Sequence, residues 1–262
     1  MKAPRSLALV LALSAAAALQ AQTPPALAPL LQADGTLNPA WRFVGFPKQQ
    51  ARIAPTRFDA GVIDDTRAVQ VRTEASYGTL VQDWRGPAPA RLQWRWRLDQ
   101  PLSGGSAPAD ILTKAGDDAA LKVCVMFDHA LDRVPFVERS VLRIARSVSG
   151  EALPAATLCY VWDSTHPAFT QGANPYTKRV RYISLQGRSA PLGRWVSESR
   201  DVAQDMIDLF ADELPQGSAT PRALAPAVTR VLLGADSDNT ASASQGWVTD
   251  LRWATGAAAP TP

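Results

Sequence analysis

The sequence is poor in the residues that most catalytic and metal sites need. Its 262 residues include two histidines and two cysteines, and it has no GxSxG, HExxH, GxGxxG or P-loop motif. His129 and His166 leave little material for a catalytic triad or a histidine-rich metal site, and a single loop histidine is most often a surface residue. No catalytic residue is assigned from the sequence, and a non-enzymatic function is the favoured interpretation.

The chain also lacks a basic excess and a second long apolar run. It carries 27 Lys and Arg against 24 Asp and Glu, a formal net charge of +3. Lys2 and Arg5 precede an uncharged apolar run over residues 6–19, which is short for a membrane span and predicts a signal peptide over residues 1–21. Removing those two basic residues and no acidic ones lowers the net charge to +1. We expect a periplasmic or secreted protein, with no nucleic-acid partner and no membrane span in its mature form.

The rest of the chain is predicted to hold one folded domain. Residues 22–40 are rich in Ala, Pro and Leu and indicate a flexible arm, residues 41–255 a single domain, and residues 256–262 a frayed tail. Cys124 and Cys159 both lie in apolar, strand-like runs. Two buried free thiols are the favoured interpretation, and a disulfide is the alternative in an oxidising compartment.

The domain is expected to be mainly β. From Arg91 to Asp99, apolar Leu92, Trp94, Trp96 and Leu98 alternate with polar residues, including three arginines, as in a half-buried antiparallel strand. We expect the arginine face to be neutralised by ion pairs. Similar patterns, separated by Pro, Gly and Asp turn signals, predict ten further strands: 41–46, 57–63, 67–75, 79–84, 121–128, 158–162, 179–185, 194–200, 229–235 and 246–253.

Two amphipathic helices interrupt the strands. The first begins after Pro135, and its stripe of Val137, Val141, Ile144 and Val148 is expected to cover the outer face of the sheet. The second is predicted over residues 201–212. We therefore expect an antiparallel β-sandwich, jelly-roll-like or galactose-binding-like, with one or two helices packed outside; a mixed α+β layer is the alternative.

Three polar clusters follow or precede predicted strands, and they supply the candidate ligand-binding residues. Carboxylate and amide oxygens at such positions suit sugar hydroxyls or Ca²⁺, although each cluster alone is also typical of a plain turn. We expect the first and third clusters to meet at one end of the sandwich. There a cation such as Ca²⁺, or Arg179 or Arg181, would offset the repulsion between carboxylates. The candidate residues are Asp117, Asp118, Asn174, Tyr176, Asp236, Asp238 and Asn239.

Several short motifs resemble, in order, those of the bacterial "domain of unknown function 3047" family. They are Leu92–Arg97, Gly116–Asp118 leading into Leu121–Asp128, Leu153–Ala156, Leu158–Trp162, Asn174–Thr177, Trp195–Glu198 with Arg200–Val202, and Asp236–Thr240. The resemblance covers about residues 41–253. It implies an exported bacterial protein and lends no catalytic residue, since the family has no established activity.

Two functional hypotheses follow. The first is a non-catalytic sandwich that binds a carbohydrate or envelope glycan, or another small polar ligand, with Trp84, Trp162 and Tyr176 as aromatic contacts. The second is a glycan hydrolase or lyase of the cell envelope that uses two carboxylates. No cofactor is expected beyond the possible Ca²⁺.

Overall fold

The structure, a computed structural model, describes residues 25–46, 52–88, 90–149, 153–215 and 221–254. The predicted signal peptide and tail lie outside these residues. The described strands and α-helices are β1 Arg42–Val44, β2 Ala54–Pro55, β3 Arg57–Ile63, β4 Thr66–Glu74, β5 Ser76–Gly86, β6 Arg91–Ser103, β7 Ala119–Phe127, α1 Phe136–Ser149, β8 Ala156–Trp162, β9 Gln171–Asn174, β10 Thr177–Gln186, β11 Val196–Arg200, α2 Val202–Leu209, β12 Val228–Asp236 and β13 Ala243–Ala254.

The strands form two sheets packed as a sandwich, which confirms the predicted fold class. The larger sheet has the order β1-β5-β12-β7-β8-β10-β9, with β2 also paired to β5, and the smaller has the order β11-β6-β13-β4-β3. Most pairs are antiparallel, but β8 pairs with β10, and β2 with β5, in parallel. The β8–β10 pair is parallel because β9, which lies between these two strands in sequence, runs in the opposite direction. In the sheet, β9 pairs with β10 and forms the edge.

Aromatic side chains from the two inner faces fill the core. Trp94 and Trp96 of β6 are fully buried and meet Tyr160 and Trp162 of β8, with ring centroids 5.3 and 5.6 Å apart. Burial of such large apolar surfaces is the main favourable contribution to folding. The strict alternation along β6 is thereby explained, because every second residue points into this core.

The arginine face of β6 lies on the outer side of the smaller sheet, and ion pairs cover it as predicted. Arg95 Nε lies 2.7 Å from Asp250 Oδ2, and Arg97 pairs with both Asp64 and Asp99. Arg91 instead donates to the hydroxyl and carbonyl oxygen of Ser199 on β11. The outer surface of this sheet is therefore polar and largely charge-balanced.

The larger sheet has a different outer surface. Val81, Cys124, Val161 and Leu232 form a second apolar cluster there, on the side away from the main core. Cys124 and Cys159 face each other across β7 and β8 and are joined by a disulfide. The favoured interpretation of two free thiols is therefore wrong: directly opposed positions on adjacent antiparallel strands hold the two sulfur atoms within bonding reach.

The described part of the arm predicted over residues 22–40 packs against the domain. Leu27 and Leu30 are buried in the main core. Trp41 Nε1 donates to the Ala28 carbonyl oxygen at 3.0 Å, and Trp84 Nε1 donates to that of Pro25 at 2.7 Å. The Ala- and Pro-rich composition of this segment gave no indication that two of its leucines belong to the main core.

The two helices behave differently. In α2, Val202, Met206 and Phe210 at its end are fully buried. In α1, Val137, Val141 and Ile144 are 72%, 62% and 65% exposed, so the prediction that these residues cover the sheet is wrong. The side chain of Val148, the fourth residue of the predicted stripe, lies outside the described part of the chain. The helix is held through its opposite side by Leu142, and the outer face of the larger sheet stays open. No helix among the described residues is long and apolar enough to cross a membrane.

Candidate functional site

A groove of about 680 Å³ lies on the open outer face of the larger sheet. Its floor is apolar, formed by residues such as Met126, Leu232 and the Cys124–Cys159 disulfide. One end is polar and holds six of the seven predicted site residues: Asp117, Asn174, Tyr176, Asp236, Asp238 and Asn239. The prediction that separate polar clusters meet at one end of the sandwich therefore agrees with the geometry.

A buried ion pair lies at the centre of the polar end. Lys122 of β7 places its ammonium 2.5 Å from Asp236 Oδ2, and Asp236 Oδ1 accepts a hydrogen bond from the Ala119 amide at 2.8 Å. Burial opposes the charge on Lys122, but the Asp236 carboxylate outweighs it, so the pKa of Lys122 lies above its ordinary value. The same ammonium lies 5.3 Å from the centroid of the Tyr77 ring. Lys122, and not Arg179 or Arg181, thus offsets the negative charge of this end.

Asp117 and Asp238 are the two carboxyl groups that remain beside the pair. Asp117 Oδ2 accepts a hydrogen bond from Asn174 Nδ2 at 2.5 Å. Asp238 makes no hydrogen bond or ion pair with another side chain that the structure describes. Burial, and secondarily the Asp236 charge, raise the pKa of Asp117 to about 6 and that of Asp238 to about 6. Both groups therefore change charge near neutral pH.

Asp118 has a structural role and does not line the groove. It is buried, and its two oxygens accept hydrogen bonds from the Asn239 amide (3.2 Å), the Thr240 amide (2.8 Å) and the Thr240 hydroxyl (2.6 Å). These bonds fix the loop after β12, which carries Asp238 and Asn239. Of the two adjacent aspartates, Asp118 thus positions the loop and Asp117 lines the groove.

Tyr176 forms the outer wall of the polar end. Its side chain is 58% exposed, and its hydroxyl lies 2.9 Å from the Lys114 carbonyl oxygen and 3.2 Å from Asn239 Oδ1. Asn174 Oδ1 accepts hydrogen bonds from the amides of Tyr176 and Thr177, which makes a tight turn at this point. The turn and the hydroxyl contact together hold the tyrosine ring at the edge of the groove.

Sequence reasoning missed three aromatic or charged residues of the groove and assigned two tryptophans to it incorrectly. Phe46 and Tyr77 form an aromatic pair on its wall, with ring centroids 4.3 Å apart, and Lys122 lies between them and the carboxyl groups. A single lysine inside the apolar run of β7 is itself a signal, because lysine is rarely buried without a partner. Trp84 and Trp162, expected as ligand contacts, are buried in the main core.

His129, Arg179 and Arg181 do not line the groove. His129, expected on the surface, is buried and bonds Glu213 at 3.0 Å. Arg179 and Arg181 both pair with Glu213, and Arg181 also pairs with Asp212, which explains why neither pairs with the aspartates of the groove. Among the described residues, no three His, Cys, Asp or Glu side chains are grouped so that they would hold a metal ion. Ca²⁺ binding stays a prediction.

Comparison with known proteins identifies the family. A model of the family described as "Protein of unknown function (DUF3047)" matches residues 39–252. The chain belongs to the DUF3047 family. The match includes all seven predicted site residues and Lys122, so the whole polar end of the groove belongs to the DUF3047 region.

Two other comparisons add little to this DUF3047 assignment. No curated protein matches the chain. Among solved structures, a crystal structure of an agarase is similar at a TM-score of 0.30 and 11% sequence identity, over 90% of this chain and 25% of the agarase chain. The DUF3047 chain thus spans about a quarter of that protein's length.

Proposed function

We propose that this protein is exported and that its outer-face groove binds a carbohydrate or envelope glycan without cleaving it. The observation that carries the proposal is the polar end, where carboxyl, amide and tyrosine hydroxyl groups converge beside an apolar and aromatic floor. Binding sites commonly combine an apolar lining with a few polar groups that fix orientation, and sugars present both hydroxyls and apolar ring faces. The Asp238 carboxyl, which has no side-chain partner in the part of the chain that the structure describes, is the group best placed to accept hydrogen bonds from hydroxyls.

Export is supported by two independent features. The predicted signal peptide ends at Ala21, and the Cys124–Cys159 disulfide is of the kind that persists in oxidising compartments such as the periplasm. Intact-mass measurement of the secreted or periplasmic protein is expected to give a chain that begins near Gln22. A mass that retains Met1 and Lys2 would contradict export by this route.

A glycan array with the purified protein tests the binding proposal. We expect binding of at least one glycan class, and a loss of on the order of tenfold or more in affinity for Asp238→Asn and for Asp117→Asn, because each removes an oriented acceptor from the groove. Asp65→Asn is the matched control, since Asp65 is an exposed aspartate in the turn between β3 and β4. No binding, or an equal loss in the Asp65 variant, would contradict the proposal.

A carboxylate-dependent hydrolase or lyase is the second candidate. It is favoured by one observation, the two groove carboxyls whose pKa values are raised to about 6, because a general acid needs to hold its proton near the working pH. The two functions are separated by incubating the protein with the glycans that bind and measuring the products. A hydrolase releases new reducing ends, and a lyase releases unsaturated sugars. If products are released and Asp238→Asn abolishes their release, the protein is an enzyme and the proposal of binding without cleavage is wrong.

A further inference from the structure

Helix α1 carries an apolar stripe that nothing among the described residues covers. Phe136, Val137, Val141 and Ile144 are 73%, 72%, 62% and 65% exposed. They are four of the ten large apolar side chains that are exposed in the described part of the chain. Scattered exposed apolar residues are ordinary, whereas a contiguous group indicates an interaction surface.

The helix is attached to the domain by a different side. Leu142 is buried against Val134 and Ala155, and Glu138 pairs with Arg179 at 2.6 Å. Since successive residues of a helix are 100° apart, Leu142 lies roughly 100–160° around the axis from Val137, Val141 and Ile144. The apolar stripe is therefore directed away from the protein by the way the helix is anchored.

The edge of the stripe is basic. Arg139 and Arg143 follow Phe136 at intervals of three and seven residues, and the Arg139 guanidinium lies 5.8 Å from the centroid of the Phe136 ring. Neither arginine forms an ion pair with a described residue. This differs from the smaller sheet, where Arg95 and Arg97 are paired with aspartates.

We propose that the apolar stripe of α1 docks on an anionic phospholipid surface. An amphipathic helix with apolar residues on one face and arginines at its edge lies in the interface of a bilayer, with its apolar face among the acyl chains and its cations at the phosphates. A second copy of the chain is a poorer partner, because its apolar stripe carries the same two arginines and so offers no complementary negative charge. The charge at the edge of the stripe thus selects the lipid surface. This inference is independent of what the groove binds.

Vesicle co-sedimentation tests the proposal. We expect the protein to bind vesicles that contain phosphatidylglycerol and phosphatidylcholine, and to bind pure phosphatidylcholine much less. The double substitution Val137→Glu and Val141→Glu is expected to lower the partition coefficient by on the order of tenfold or more, since charged groups would then have to enter the interface. Val62→Glu is the matched control: Val62 is 65% exposed on β3, in the other sheet.

A second pair of variants tests the charge. Arg139→Ser with Arg143→Ser is expected to weaken binding to the anionic vesicles and to reduce its salt dependence, with an unchanged thermal midpoint that shows an intact fold. The proposal is overturned if anionic vesicles do not bind the protein, or if Val62→Glu lowers binding as much as the helix variants. It is also overturned if analytical ultracentrifugation shows a dimer that Val141→Glu alone converts to a monomer, because the second copy is then the occupant.

Discussion

The outer faces of the two sheets differ in how their charged side chains are paired. On the smaller sheet, Arg95 pairs with Asp250 and Arg72 with Asp59, at 2.7 and 2.6 Å, and the surface is balanced. On the larger sheet, Lys122 pairs with Asp236 and is the positive charge near the other groove carboxyls. Asp238 has no side-chain partner among the described residues. A charged strand residue without a partner among the described residues is therefore informative, because charges on strands are usually paired.

The largest expected difference between the faces concerns the buried lysine. Lys122→Met should cost about 3–5 kcal/mol in the free energy of unfolding, because it leaves the buried Asp236 charge unpaired. Arg95→Met, which breaks an exposed pair, should cost about 0–1 kcal/mol. Urea denaturation at neutral pH measures both. Similar losses of unfolding free energy for the two variants would contradict a difference between the two faces. The double variant Lys122→Met with Asp236→Asn should regain most of the stability that Lys122→Met loses.

The disulfide is expected to have the next largest effect. Replacing Cys124 and Cys159 together by alanine should lower the free energy of unfolding by about 2–4 kcal/mol, since the bond closes a loop of 35 residues in the unfolded chain. Thiol titration of the denatured, non-reduced protein is expected to find no free thiol, and two reactive thiols would refute the bond.

A smaller, pH-dependent effect is expected at the groove carboxyls. Because the pKa values of Asp117 and Asp238 are raised from 3.8 to about 6 in the folded protein, their ionisation destabilises the fold as the pH rises through this range. Asp117→Asn and Asp238→Asn should therefore raise the thermal midpoint at pH 7.5, and this gain should disappear by about pH 4. Asp59→Asn, on the paired face, should give no such gain. A gain that persists at low pH would contradict this account.

Calcium is expected to have the smallest effect. Asp236 is paired with Lys122 and Asp118 is fully used by the loop that follows β12, so two of the predicted ligands are occupied. Added Ca²⁺ or EDTA should leave the thermal midpoint of the wild type unchanged, because a ligand stabilises only the state that it binds. A reproducible increase with Ca²⁺ that Asp238→Asn abolishes would instead establish a cation site.

Local patterns predicted the strands well. All eleven predicted strands are present within a few residues of their predicted limits, and alternation in β6 identified the core face correctly. The two missed strands, Ala54–Pro55 and Gln171–Asn174, are short edge strands with Pro, Gly or Asn and no alternation. Such strands form because a neighbouring strand offers free hydrogen-bonding groups, which is a property of the sheet and not of the segment.

Tertiary placement was harder to predict. The periodicity of α1 correctly indicated a helix, but amphipathicity does not specify what covers the apolar face, and here Leu142 and Glu138 anchor the other side. The site was predicted from Asp, Asn and Tyr in loops. Lys122 is conspicuous in an apolar strand, but it could not be connected with these residues, because its partner Asp236 lies on another strand. Pairing across 114 residues of sequence is not visible in local patterns.

The bond between Cys124 and Cys159 has a consequence for α1, because the helix lies within the loop that it closes. Arg133, Arg139 and Arg143 place trypsin-sensitive peptide bonds in this segment. A protease that cuts there separates the chain into two pieces that remain joined through β7 and β8. We expect the nicked protein to keep its sandwich and to migrate as one species until a reductant is added. The exposed helix can thus be cut without releasing either half of the domain.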